Sequence, residues 1–348
     1  MGNDSPPIMS FVALDDLRIV GNHHLETSDA FTVCALVRNE MYFLPAFLDH
    51  YRTLGAGRFV LLNDRSTDGS REYLMRQPDV MLIESGYRYG DMFYFGKFET
   101  PKNKRMIHVW KTLLLRKYCL GRWAASVDLD EFILLPAEMS LYAVTNQVTE
   151  AAQSVAIAGV MLDLYPATID DLTKPAVFDP DAEWYFDARK HLNYDKDERR
   201  FRIHHNGARS RLMETFGITL KEPGLRNRIW RCLGRRSTPK PTTLFKSILL
   251  KGTENDHFIG SHVTTHQIAS EFLLPILHYK FTHDLFRRTA AAIEGGEYFK
   301  GSQEYRLMHS LLTEMQRQRG SFRCAHSKRT TEFATFVESG NALLRGLP

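Results

Sequence analysis

The chain has 348 residues, 43% of them hydrophobic and 25% charged, with a formal net charge of +4. That is enough apolar material for one large core or two modest ones, and it excludes a mainly disordered chain. No run of about 18 uninterrupted apolar residues occurs, and "MGNDSPPIMSF" lacks a basic segment ahead of an apolar one, so neither a membrane span nor a secretory leader is expected.

Pro6 stands where N-myristoylation needs Ser or Thr. Cys34, Cys119, Cys232 and Cys324 show no metal-ligand spacing and read as reduced thiols of a cytoplasmic protein. The charge is uneven. Between Lys221 and Lys251 nine Lys or Arg face the single Glu222, a block suited to phosphates, to an anionic membrane surface, or to water.

Residues 1–29 carry no clear period and read as an N-terminal segment with a short edge strand around Ile8 to Leu14. "FTVCALVRNE" is an apolar, β-branched run typical of a buried parallel strand, ending at Arg38. Leu44, Phe47, Leu48, Tyr51 and Leu54 then share one helical face, with Pro45 in the first turn and Gly55 at the end. "RFVLLND", a helix opened by "STDGS", and "DVMLIES" follow, so strand, helix, strand, helix, strand predicts βαβ units around a parallel sheet.

A long helix is predicted in "KNKRMIHVWKTLLLRKYC", leading into "RWAASVDLDEFILLP", an apolar strand interrupted by acids. "SVAIAGVMLDLYP" predicts a further strand, and "DLFRRTAAAIEGGEYFKGSQEYRLMHSLLTEMQRQ" a helical end. The fold expected is α/β: a Rossmann-like, mostly parallel sheet flanked by helices. Its main domain spans 30–285, in two halves at about 30–136 and about 137–285, ahead of a helical C-terminal extension at 286–348.

In such sheets ligands bind beyond the carboxyl ends of the strands, where helix N-termini and free amides converge. Arg38, Asn39 and Glu40 end the first strand, Asn63, Asp64 and Arg65 the second, and Asp128, Asp130 and Glu131 lie in the acidic one. Neither G-x-G-x-x-G nor G-x-x-x-x-G-K-[ST] is present, so a nucleotide would be held without either phosphate loop. Two residues apart in a strand, Asp128 and Asp130 would leave on one face and share an ion, and two hard oxygens beside open positions suit Mg²⁺ or Mn²⁺. A solvated strand end is the plain alternative. Acids inside an apolar run are costly without a counter-ion, which favours a role in binding.

"VRNE", "NDRSTDGS" and "SVDLDEF" together resemble glycosyltransferase family 2 enzymes of the GT-A fold, most densely from Phe31 to Pro136 and again, more thinly, at "GSHVTT" and "LLPILHYKF". Arg65 stands where Asn is frequent in that family, a change expected to matter little. The resemblance implies that backbone near Val37 with Asn39, Glu40 and Asp64 lines a nucleoside pocket. It further implies that Asp128 and Asp130 address the ribose and the metal on a diphosphate, that Lys246 has a family-like position, and that His262 is a late metal ligand. His266 is the fallback for His262, and His278 reads as structural. Lys104 and Arg105, just before the acidic strand, could neutralise diphosphate.

The implied reaction moves a sugar from a nucleotide diphosphate donor, UDP before GDP, to a hydroxyl of a glycan or lipid-linked acceptor, with Mn²⁺ or Mg²⁺ as cofactor and no nucleic-acid partner. An inverting mechanism needs a base. Asp163, Asp170, Asp171, Glu183 and Glu214 are candidates, with Asp163 first because it ends an apolar strand. Trp184 and Tyr185 could stack on an acceptor sugar or belong to the core. Two rivals stand beside this reading: a sugar-phosphate nucleotidyltransferase, which would need a glycine-rich loop that "VRNEMYFL" lacks, and a non-catalytic carbohydrate-binding protein of the same fold.

Overall fold

The computed structural model describes residues 14–95, 102–148, 155–173, 176–218, 244–296, 299–330 and 332–344. The edge strand expected around Ile8 to Leu14 lies, as far as Ala13, outside the described residues, as does the basic stretch 221–243. The first described strand is β1 (Arg18–Gly21). Strands β2 (Thr32–Val37), β3 (Arg58–Asn63) and β4 (Val80–Glu84) follow as read, joined by helices α1 (Leu44–Thr53) and α2 (Ser70–Met75). A hairpin of β5 (Met92–Phe95) and β6 (Lys102–Arg105) precedes α3 (Met106–Tyr118), so the predicted long helix begins only at Met106.

The acidic stretch is not one strand. It splits into β7 (Trp123–Ser126) and β8 (Glu131–Ile133), with Val127 to Asp130 forming the turn between them. After α4 (Leu141–Asn146) come β9 (Val155–Asp163), β10 (Tyr185–Asp187), the hairpin β11 (Leu192–Asp195) and β12 (Arg200–Ile203), and α5 (Ala208–Thr215). Strands β13 (Phe245–Lys251) and β14 (Gln267–His278) complete the sheet. Helices α6 (Leu285–Gly295) and α7 (Phe299–Gln318), β15 (Ser327–Arg329) and α8 (Phe333–Glu338) end the described chain.

Nine strands form one sheet in the order β1-β4-β3-β2-β7-β13-β9-β14-β8. Strand β2 is parallel to β3 and β7, β3 to β4, and β9 to β14, whereas β1, β13 and β8 run against their neighbours. The sheet is therefore mixed. Its two halves of parallel strands are sutured by the single reversed strand β13, and β7 and β8, four residues apart in sequence, lie at opposite sides of the second half.

Burial explains why these segments are strands: every residue of β3 and β9 is buried, as expected for strands covered on both faces. Helices α1 and α3 cover the sheet through Phe47, Leu48, Tyr51, Trp110 and Leu114. A second apolar cluster joins Tyr165, Leu212, Phe281, Leu285, Met308, Leu312 and Phe322, and so packs α5, α6 and α7 together. Trp184 sits edge-on to Tyr279 at 5.4 Å, and both Trp184 and Tyr185 are buried in the two clusters, so they act as core.

Candidate active site

The carboxyl ends of β2, β3, β7, β9 and β14 and the amino ends of the reversed β8 and β13 meet at one edge of the sheet, because antiparallel neighbours present opposite ends there. That edge collects Val37, Asp64, Asp128, Asp163, His278, Glu131 and Lys246. Two loops there are sewn together. Asn39 N–H donates to Ser66 Oγ (3.0 Å), Thr67 N–H to Asn39 Oδ1 (2.7 Å), Glu40 N–H to Ser70 Oγ (3.1 Å) and Met41 N–H to Asp68 Oδ2 (2.9 Å).

The "STDGS" cluster thus braces the loop after β2. It does not cap α2 through Ser66 or Thr67: the N-cap is Gly69, at φ 91°, with Asp68 Oδ1 accepting from Ser70 N–H at 3.0 Å. Asn39 and Arg65 both adopt left-handed backbone, at φ 57° and 55°. Asn tolerates that region, whereas a long side chain costs about 1–2 kcal/mol there, so Arg65 in place of Asn does carry a backbone consequence. Its Nη2 donates to Gly86 O at 2.7 Å, which offsets part of that cost. Asp64 is buried beneath these loops, accepts from Tyr89 N–H at 3.2 Å, and has Arg38 Nη1 at 3.7 Å.

The acidic turn is held by two buried lysines. Lys111 Nζ lies 2.9 Å from Asp128 Oδ1, Lys246 Nζ lies 3.0 Å from Asp128 Oδ2, and Lys246 also pairs with Glu131. Glu131 in turn accepts the Asp128 N–H at 2.8 Å. Burial alone would raise the Asp128 carboxyl, but Lys111 and Lys246 hold it far below the usual range, and the same acids keep the buried Lys246 ammonium above its ordinary value. His262, in the loop between β13 and β14, is pushed well below the ordinary imidazole value by burial and by Lys246. One donor atom each from Asp128, Glu131 and His262 lie within 4.8 Å of one another. Among the described residues Asp130 does not belong to that set.

Asp130 starts a second chain of polar groups. Its Oδ2 lies 3.5 Å from His278 Nε2, and His278 Nδ1 lies 2.6 Å from Asp163 Oδ1. Asp163 Oδ2 accepts from Arg209 Nε at 2.7 Å, and Arg209 Nη1 reaches Glu304 at 2.6 Å. Despite burial, Arg209 and His278 hold Asp163 far below the ordinary carboxylate range, and Asp130 and Asp163 raise His278. On the open side, Arg288 of α6 donates from Nη1 to Asp130 Oδ2 at 3.2 Å. A cleft of about 150 Å³ opens beside it, lined by Arg38, Asn39, Glu40, Arg287, Arg288 and Tyr305 among others. Burial pushes Glu40 up to about 8, with Arg288 opposing the shift.

The structure therefore gathers Val37, Asn39, Glu40, Asp64, Asp128, Asp130, Asp163, Lys246 and His262 at one sheet edge. Asp128 and Asp130 are on a turn and diverge, contrary to the shared strand face expected of them. Asp163 has a fully covered side chain with both oxygens occupied, so it has no direct access to a substrate. Lys104 donates to Phe258 O at 3.0 Å and secures the late loop, and neighbouring Arg105 is the N-cap of α3. His266 bonds Lys251 O through Nε2 at 2.9 Å and does not belong to the group of Asp128, Glu131 and His262, while His278, read as structural, is buried between Asp130 and Asp163.

Sequence reasoning missed Lys111, Glu131 as a donor, and Arg288. Lys111 had a visible signal: a cation in "VWKTLLL", where every neighbour is core.

No family model matches the chain. Over 140 residues, 40% of its length, it is 23% identical to a glycosyltransferase family 92 protein of Oryza sativa subsp. japonica. The matched stretch is 22% of that protein, so the chain spans about a fifth of the length of the relative.

Proposed function

We propose that this chain is a glycosyltransferase that takes a sugar from a nucleotide diphosphate donor, a UDP-sugar first, and passes it to a hydroxyl of a glycan or lipid-linked acceptor. The observation that carries the reading is the single sheet edge at which the braced loops after β2 and β3, buried Asp64 and the lysine-held acidic turn converge. Ligands of open α/β sheets bind at such an edge. The rice relative supports glycosyl transfer as the class. The family 2 resemblance and the sheet order, with β13 reversed between β7 and β9, support a GT-A type fold as the finer proposal.

In this reading Asn39, Glu40 and Asp64 receive the nucleoside, and Asp128 lies next to the diphosphate. A divalent ion suits the donors Asp128, Glu131 and His262 in kind: two carboxylates and an imidazole kept neutral, a mixture that favours Mn²⁺ over Mg²⁺. Bound there, such an ion would supply positive charge against the departing diphosphate. Lys111 and Lys246 already neutralise the same acids, so ion affinity is expected to be modest until phosphate oxygens add their charge.

Next to the cleft-lining Arg288, and less covered than His278 and Asp163, Asp130 is assigned the acceptor proton; burial would raise its carboxyl, but His278 and Arg288 hold it well below the ordinary range, so it serves as a weak base. Asp163 acts through His278 as a positioning residue, holding the imidazole by Nδ1 as a buried acid does in acid–histidine pairs. The basic block 221–251, apart from the buried Lys246, is assigned to an anionic acceptor or membrane surface, to be checked by vesicle binding that weakens with salt.

The test is release of nucleoside diphosphate from a panel of UDP- and GDP-sugars, with and without Mn²⁺, in wild type and Asp128→Asn. UDP release that needs the metal and disappears in the variant is expected. No release from any nucleotide sugar by folded protein, with glycan acceptors supplied, contradicts the proposal.

A further inference from the structure

Arginines in this molecule show what a satisfied guanidinium looks like. Arg52 grips Asp79 through Nε and Nη2, both at 2.8 Å, and Arg211 grips Asp187 through the same two atoms, again at 2.8 Å. These are side-on forks, two parallel N–H groups matched to two oxygens. Arg288 differs. Its Nη1 donates to Asp130, but Nε and Nη2, the edge that the other two use, are buried without a hydrogen-bond partner, and the nearest carboxylate, Asp284, stands 3.7 Å from Nε. Buried donors left unpaired are uncommon and mark places where a partner is missing.

The surroundings say what that partner is. The guanidinium carbon lies 4.9 Å from the centre of the Phe43 ring, which offers no oxygen to accept from it. Arg288 lines the cleft together with Arg38 and Arg287. The acid there, Glu40, is pushed up to about 8 by burial, so near neutral pH it adds little negative charge to oppose an anion. The cleft, about 150 Å³, has room for an oxyanion group beside the three arginines.

We propose that Arg288, contributed by α6, is the oxyanion-binding residue of this cleft and takes a phosphoryl or carboxylate group of the substrate by turning its Nε/Nη2 edge onto two oxygens. This rests on the glycosyltransferase reading only for the source of the group: the donor's diphosphate, or the acid of a uronic sugar. The anion site itself does not depend on it.

Calorimetric titrations of inorganic pyrophosphate, UDP, UDP-glucose and UDP-glucuronate separate the cases, in wild type, Arg288→Gln and Arg288→Lys, with melting curves to establish that the variants fold. Pyrophosphate and UDP affinities that fall more than tenfold in Arg288→Gln, with Arg288→Lys recovering only part because it lacks the fork, assign the group to the diphosphate. Unchanged UDP with loss of a glucuronate-over-glucose preference assigns it to the sugar acid. Wild-type binding of pyrophosphate without any UDP binding keeps the anion site and overturns the donor reading. Equal affinities for all four ligands in wild type and Arg288→Gln, or no binding of any of them to wild type, overturn the proposal.

Discussion

Lys246 is 0% exposed and joins Asp128 to Glu131, a place where an ammonium is tolerated only because two acids surround it. Removing it as Lys246→Met leaves buried Glu131 without its cation and Asp128 with Lys111 alone, and the expected loss is about 3–5 kcal/mol in urea unfolding. Adding Glu131→Gln should recover part of that loss, since Glu131 is the fully buried acid of the pair. A loss under about 1 kcal/mol would mean that the lysine is not the counter-ion of the turn. A second residue-scale effect concerns protons. Burial pushes His50 down to about 4 while its Nε2 bonds Ile133 O at 2.9 Å, and burial, then Lys104 and Lys111, pushes His108 down to about 4. An unfolded imidazole titrates near 6.5, so between about pH 6.5 and 4 the unfolded chain binds more protons than the folded one. Stability is therefore fully present above about pH 6.5 and falls as pH drops toward 4. His50→Gln, which can still donate to Ile133 O, should flatten that slope. An unchanged slope of unfolding free energy against pH would show that His50 does not carry it.

At the scale of elements, the late loop between β13 and β14 is braced within itself and tied to its surroundings by α3, β6 and β13. Thr112 Oγ1 accepts from Phe258 N–H at 3.0 Å, Lys104 Nζ donates to Phe258 O at 3.0 Å, Arg116 donates twice to Asp256 O, and Ser247 N–H donates to His262 O at 2.9 Å. Thr112→Val keeps the shape and removes the acceptor for a buried N–H, a cost of about 1–3 kcal/mol. Hydrogen exchange at Phe258 and its neighbours should speed up and metal-dependent nucleotide binding should weaken, while the sheet core stays protected. Uniform protection in the variant would deny that α3 holds the loop. The parallel units β2-α1-β3-α2-β4 were legible because each obeys a local period and ends in turn formers. The acidic segment was not: "WAASVDLDEFI" has the composition of one strand, and only pairing with β2 and β13 on one side and β14 on the other breaks it at Val127 to Asp130. That Asp128, Asp64 and His262 would come to one edge of the sheet was legible from motif position. The partners Lys111 and Arg288 come from helices whose relation to the sheet edge is a matter of packing, which periodicity does not encode.

At the scale of the molecule, the chain after Phe281 is part of the fold and not an appendage. Helices α6 and α7 share an apolar cluster with α5, Phe186 stacks on Phe336 at 4.5 Å, and Leu273 bridges to Leu343. Arg288 and Glu304, from α6 and α7, complete the two ends of the Asp130–His278–Asp163–Arg209 chain. Removal of residues 299–348 should therefore lower the melting temperature of the entire protein in a single transition and abolish nucleotide binding. Two separate transitions in the intact chain would instead mark the end as an independent unit. In the function proposed, the sheet edge holding Asp64, Asp128 and His262 binds a nucleotide diphosphate. Calorimetric titration of UDP into the intact chain, with Mn²⁺ present and then chelated, tests it most directly. Saturable UDP binding that weakens on chelation and is lost in Asp128→Asn with the fold retained is the predicted result. Heats of dilution alone, for UDP and GDP alike and with metal present, would contradict it.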